Sequence, residues 1–349
     1  MKYNPFRKVL VLGIIIIFFC TCTQSSMGEV IENINNFSLM DINTNGITLN
    51  VGGSGPDNYT KIQYAIDNAS AGDTVFVYSY SSPYYENVFI NKSIRLIGED
   101  PTITTIIGNY SGCTIEVYTS NVSIFGFCIK NGNLSGIKLW KSENCSIANN
   151  IIEMNNRYGI SLIESCNNFI EVNYINDNEN GIKLSDKSNF NLIKGNIIEK
   201  NYNGIFLESS SENLIINNEL DSNEYGLKIY YRSRYNTIEQ NIISNNILGI
   251  FLGGTIYPTF IFNILIDGST HNKIIKNNFF NNSQDAFFQN SRRNRWWRNY
   301  WNETRLLPKL IFGELFICRL QGIPPTAIEH HIPWIPRIDW RPALKPFNI

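Results

Sequence analysis

Two sets of side chains in this chain have the types and spacing for chemistry. Aligning every twenty-second or twenty-third residue places Glu153, Asn176, Glu199, Asp221 and Ser244 in one column, with Glu199 and Asp221 adjacent. Carboxylates on neighbouring strands, roughly 5 Å apart, can flank a Ca²⁺ or divide acid and base work between them. The same column also reads as a solvated acidic stripe, because no basic column stands beside it. The second set is Trp140, Phe206, Tyr230 and Phe251, interleaved with Lys138, Lys183, Lys228 and Glu208. Flat rings stack on the C–H faces of pyranoses while Lys and Glu bond hydroxyls, so these are the candidate ligand-binding residues. Exposed aromatics are also common on strands that bind nothing.

Both sets depend on a repeat. A Gly-Ile-x-Leu signature returns at Gly136, Gly159, Gly181, Gly204, Gly226 and Gly249, with spacings of 23, 22, 23, 22 and 23 residues. Around it runs Asn-x-Ile-x-x-Asn-x-Ile-x-x-Asn, whose second Asn recurs as Asn150, Asn173, Asn196, Asn218, Asn241 and Asn277. Units this short cannot bury an apolar face alone and must stack. A leucine-rich repeat has a similar period, but its helix-forming half is missing, and Ile and Asn recur in all three portions of the unit. The pattern predicts an all-β, right-handed parallel β-helix with three short strands per coil and nine or ten coils. Within Gly181-Ile182-Lys183-Leu184, alternation sends Ile182 and Leu184 inward and Lys183 to water. Asn is expected at the bends because it tolerates left-handed backbone and its amide can bond the next coil.

The ends read differently. Lys2, Arg7 and Lys8 precede an apolar run from Val9 to Phe19. About eleven apolar residues are too few for a span of roughly 20, so residues 1–27 are expected to be a signal peptide with no membrane span left after its removal. Residues 28–290 are assigned to the β-helix and its N-terminal cap. In that cap, Ile62, Ala65, Ile66 and Ala69 share a helical face after an Asn or Asp cap at 57–58, and Gly72 ends the helix. Residues 291–349 are expected to form an irregular cap rich in Trp, Arg and Pro, with Trp296, Trp297 and Trp301 among four arginines and the repeat at an end. Between Leu252 and Ile266 the period lengthens by about 13 residues. Its Phe260, Ile261 and Phe262 predict a loop that folds back.

Composition narrows the function. With 29 basic and 30 acidic residues the formal charge is −1, which disfavours nucleic acid as a partner. Five cysteines beyond the leader (Cys113, Cys128, Cys145, Cys166 and Cys318) are too widely spaced for a disulfide scaffold or a Cys-x-x-Cys metal site. Ten Asn-x-Ser/Thr sequons occur, Asn58, Asn91, Asn109 and Asn133 among them.

Gly53-Ser54-Gly55-Pro56, Ile62-Gln63-Tyr64-Ala65-Ile66, Ala71-Gly72-Asp73-Thr74-Val75 and Leu96-Ile97-Gly98 resemble the entry region of secreted pectin-lyase-like β-helix proteins. The resemblance is greatest to the NosD-like group, which shares a domain with carbohydrate-binding proteins and sugar hydrolases. It covers residues 47 to 290, and Asn299-Tyr300-Trp301 resembles an element that follows the coils in many members. It implies copper delivery to nitrous oxide reductase, or the binding or cleavage of polysaccharide. Copper handling calls for imidazole or thioether clusters, whereas this chain offers His271, His330 and His331 with scattered Met27, Met40 and Met154. The hydrolase motifs Asn-Thr-Asp, Gly-His-Gly and Arg-Ile-Lys are absent. The reading is therefore a secreted or cell-surface module, periplasmic in a Gram-negative source, that binds carbohydrate or another envelope component without cleaving it. No cofactor is expected beyond a Ca²⁺ at Glu199 and Asp221. A polysaccharide lyase or glycoside hydrolase, a structural surface protein and a copper accessory protein are the alternatives.

Overall fold

Inward Ile and Leu columns govern the architecture. In the coil that starts at Ser146–Ala148, Ile147 pairs in register with Ile170 of the next coil, Ile152 with Ile175, and Ile160 with Ile182. All six are at most 1% exposed. Each coil therefore hides a few aliphatic side chains that only the coils above and below can cover. The computed structural model describes residues 46–258, 264–303, 307–319, 328–333, 336–339 and 341–349. They form a right-handed parallel β-helix. An eleven-stranded first sheet runs from Thr48–Val51 to Arg295–Trp297 and a ten-stranded second from Tyr84–Tyr85 to Tyr300–Trp301. The third, also of eleven strands, starts at Val88–Ile90 and ends in Ile328–Pro333. The signature glycines lie over one another, and a Cβ on Gly159 would meet the Gly181 carbonyl at 2.6 Å.

The Asn columns are buried ladders. Asn196 donates its backbone N–H and its Nδ2 to Oδ1 of Asn218, at 3.0 and 2.9 Å. Its Nδ2 also reaches the carbonyls of Ile170 and Lys194, while its own Oδ1 accepts both donors of Asn173. Every polar atom of the buried amide is thus satisfied. The left-handed residue is not the ladder Asn but the one before it: Met154, Val172, Phe190, Lys200 and Tyr235 have φ between 54° and 58°. The expectation of left-handed Asn is corrected for the ladder itself and holds at the preceding position, where Asn149, Asn167, Asn217 and Asn245 have φ between 52° and 57°. The bend strains whatever side chain precedes it, on the order of 1 kcal/mol each, and the ladder holds the strain in place. A serine ladder, Ser142 to Ser165 to Ser188, lines another turn.

The caps also differ from the sequence reading. The helix spans Ile62–Asn68, with Ile62, Ala65 and Ile66 buried, but no side chain at its own start caps it. Glu86, from the following coil, accepts the N–H groups of Ile62 and Gln63 at 2.9 and 3.1 Å. At the other end, parallel pairing continues past residue 290, because Arg295–Trp297 and Tyr300–Trp301 add to the first and second sheets. Asn294 and Asn299 extend their ladders, and Trp296 and Trp301 take the places of inward Ile. The last ladder step is an aspartate. Asp339, on the strand Arg337–Asp339, accepts from the N–H groups of Arg298 and Asn299, Nδ2 of Asn299 and Nε1 of Trp301. The inserted segment forms an antiparallel pair, Gly254–Pro258 with Ile264–Gly268. Residues 1–27 and Phe260, Ile261 and Phe262 lie outside the described residues.

Candidate functional site

The outward face of the third sheet collects the lysines and rings. Its middle column reads Glu116, Lys138, Ser161, Lys183, Phe206, Lys228, Phe251 and Phe287, one residue per coil in register. Lysines thus occur at alternate coils, on the order of 10 Å apart, which is about the length of a disaccharide.

Lys183 does not face water as alternation predicts. It is 7% exposed, because the next coil covers it. Its Nζ lies 3.3 Å from the Phe206 ring centroid and 2.6 Å from Oε2 of Glu208. Burial pulls this ammonium below the ordinary lysine range; Glu208 opposes the shift and the nearby charge of Lys228 adds to it. Lys228, on the coil after Phe206, lies 5.0 Å from the same ring, 5.1 Å from Tyr225 and 5.8 Å from both Tyr230 and Phe251. Four rings surround one cation. Its Nζ has no hydrogen-bond acceptor among the described residues, and burial lowers its pKa against the pull of Glu208 and Glu224. Gly253 has the room these rings need, since a Cβ there would meet Phe251 at 2.4 Å and Tyr230 at 2.7 Å.

Trp140 belongs to a separate cluster. It stacks on Tyr118 at 6.2 Å, and Tyr118 in turn contacts Phe89 at 5.2 Å. Lys138 lies 4.9 Å from Trp140 and reaches the Tyr118 hydroxyl at 3.2 Å and Glu116 at 3.7 Å. Of the four sequence candidates, then, Phe206, Tyr230 and Phe251 meet around Lys228, and Trp140 stands apart. The sequence places Lys228 beside these rings without singling it out, and Tyr225 is an addition from the structure. The signal available in the sequence was the alternation of Lys and aromatic residues down one column.

The carboxylate pair is where the repeat predicts it, Glu199 opposite Asp221 in the second sheet. Neighbours already hold both groups. Oε1 of Glu199 accepts the Tyr174 hydroxyl and Nζ of Lys200, each at 2.7 Å. Asp221 accepts Ser244 Oγ and Asn245 Nδ2 on one oxygen and Ser222 Oγ on the other, each at 2.6 Å. The Tyr174 hydroxyl is pushed above its usual range, by burial first and then by Glu199. Among the described residues no three His, Cys, Asp or Glu side chains gather as a metal site.

Comparison with known proteins adds kinship. The family described as "Periplasmic copper-binding protein (NosD)" matches residues 66–250 and 229–317. A cell surface glycoprotein of Methanothermus fervidus is 35% identical over 95 residues, which span 27% of this chain and 16% of that relative's length. Among solved structures, the enzymatically active domain of tailspike protein 2 from bacteriophage CBA120 is similar with a TM-score of 0.54 and 13% identity, covering 78% of this chain and 43% of that one. The Dettilon tailspike protein gives 0.51 and 16%, covering 68% and 50%. At these identities the structures share a fold with this chain and establish no activity for it.

Copper is in that family's description, and the described donors do not fit it. Burial pushes the thiols of Cys113, Cys128 and Cys145 up to about 11, so they stay protonated at neutral pH. Met154 is exposed, and Nδ1 of His271 contacts Thr270 Oγ1 while its ring stacks on Tyr235. His330 and His331 fall in the strand Ile328–Pro333, and their side chains lie outside the described residues. No helix of the described residues is long and apolar enough to cross a membrane.

Proposed function

This chain belongs to the NosD family of parallel β-helix proteins, and on that premise we propose that it acts at the cell surface as a non-catalytic module holding an acidic polysaccharide of the envelope. The ligand lies along the outward face of the third sheet. The observation that carries the reading is Lys228, an ammonium ringed by four aromatic faces with no hydrogen-bond acceptor within reach among the described residues. A carboxylate or sulfate supplies the missing partner, and the rings of Tyr230 and Phe251 beside Lys228 offer apolar surface to pyranose C–H groups. Lys183, tied to Glu208, holds Phe206 from the preceding coil.

Binding rather than cleavage is favoured because Glu208, on this face, is tied to Lys183, and the carboxylates of the second sheet are bonded to their neighbours. Surface location is supported by the periplasmic family and by the cell surface relative.

Electrophoresis through gels containing polygalacturonate, chondroitin sulfate or dextran tests the proposal. Retardation by an acidic polymer, and its loss in Lys228→Ala with Phe206→Ala, is the expected result. Equal mobility of wild type and variant in every gel would refute the assignment of the face, and release of new polymer ends would refute the non-catalytic role.

A further inference from the structure

We propose that Asn91, Asn109, Asn121, Asn133 and Asn144 carry N-linked glycans that flank the first coils of the third sheet and leave the face around Lys228 bare. Each begins an Asn-x-Ser sequon, and each is exposed. Asn91, Asn121 and Asn144 lie on the turn that leaves the third sheet, and Asn109 and Asn133 on the turn that enters it. They therefore border the strands Val88–Ile90, Ile115–Val117 and Ser135–Trp140 from both sides. No sequon occurs between Asn144 and Asn281, the span that contains Lys183, Phe206, Lys228 and Phe251.

The side-chain amides separate these sites from two others. Asn58 donates Nδ2 to the Gly52 carbonyl, and Asn68 donates Nδ2 to the Tyr64 carbonyl at 2.8 Å. Substituting either nitrogen removes a bond the fold uses. Among the described residues, none of the five donates its Nδ2 to a protein acceptor. Asn109 shows the arrangement best: its Oδ1 accepts the Ser111 N–H at 3.0 Å and the Ser111 hydroxyl at 2.6 Å, which leaves the nitrogen turned to solvent. The ladder asparagines cannot be modified. Their amides are buried, and the residue two places on points inward as Ile, Leu or Trp in Asn196, Asn218 and Asn299 rather than as Ser or Thr.

The reaction is a transfer. Nδ2 bonds to the anomeric carbon of an oligosaccharide carried on a lipid phosphate, the bond from that carbon to the phosphate oxygen breaks, the phosphate leaves with the electron pair, and the amide gives up one proton. Nothing is oxidised or reduced.

The test is to produce the full chain in cells whose secretory pathway contains an N-oligosaccharyltransferase, and to read each Asn by peptide mass spectrometry. Digestion with an amide-cleaving glycosidase in heavy-oxygen water marks each occupied Asn as a labelled Asp. Most of the five should be marked, with Asn58 and Asn68 unmarked. The fivefold Asn→Gln variant should lose the glycan mass carried at those five positions with unchanged circular dichroism. Five unmarked sites beside a glycosylated control protein from the same cells would overturn the proposal, as would marking of Asn58 and Asn68 to the same extent. Occupancy is read on peptides and does not depend on whether the third sheet binds polysaccharide.

Discussion

The second and third sheets both turn charged columns outward, and they dispose of the charge in opposite ways. On the second, Lys130 meets Glu153 at 3.4 Å, Glu199 meets Tyr174 and Lys200, and Asp221 meets Ser222, Ser244 and Asn245. Each of these charges is closed off by its own coil or the next. On the third, Lys183 and Lys228 share a phenylalanine ring, only Lys183 has a carboxylate, and both are drawn below the usual lysine range by burial. A charge that is half-buried without a polar partner is one that an incoming group can complete. The difference teaches that charge alone does not mark a site on a stacked coil; charge left unanswered by the neighbouring coils does.

The most severe way to break the comparison is to remove the turn that joins the two faces. Asn201 accepts the N–H and Nδ2 of Asn178 and donates to Asn223 and to the Ile175 and Glu199 carbonyls. Asn201→Ala leaves buried donors unpaired, so a loss of about 3 kcal/mol is expected. A lower urea midpoint at unchanged slope would register it. Next in size is Lys228→Ala combined with Phe206→Ala, which should weaken polysaccharide binding roughly 30-fold, or about 2 kcal/mol, with the fold intact. A titration of affinity against pH sharpens the contrast further. An anionic ligand binds the protonated lysines, whose pKa values in the free protein lie below 10.5, so affinity should be full at neutral pH and fall as pH rises through those lowered values. Glu199→Ala and Asp221→Ala should give the smallest effect: unchanged binding, and a stability loss of at most about 1 kcal/mol.

The repeat made the coil, the inward columns and the pairing of Glu199 with Asp221 legible in the sequence. Alternation reports inside and outside, and it is silent about what covers a residue from a coil 22 or 23 positions away. That is why Lys183, outward by pattern, lies buried beneath Phe206 and Glu208. It is also why the helix cap was placed on residues 57–58 when Glu86 supplies it. At the C-terminal end, Trp296 and Trp301 stand where Ile had marked the coil, so the change in composition hid one more turn. Asn294 and Asn299, each 22 residues after its predecessor, carried the signal. Trp140 sits on the same sheet as Phe206, but the coils of Tyr158–Ile163 and Asn180–Ser185 intervene, and its partners are Tyr118 and Lys138.

Lysine acylation mapped by mass spectrometry, with and without a retained acidic polysaccharide, tests the central claim most directly. The account predicts that the polymer protects Lys228 of the third sheet and leaves Lys200 of the second as reactive as before. Protection of Lys200 with Lys228 unaffected, or protection of neither while the polymer stays bound, would contradict it.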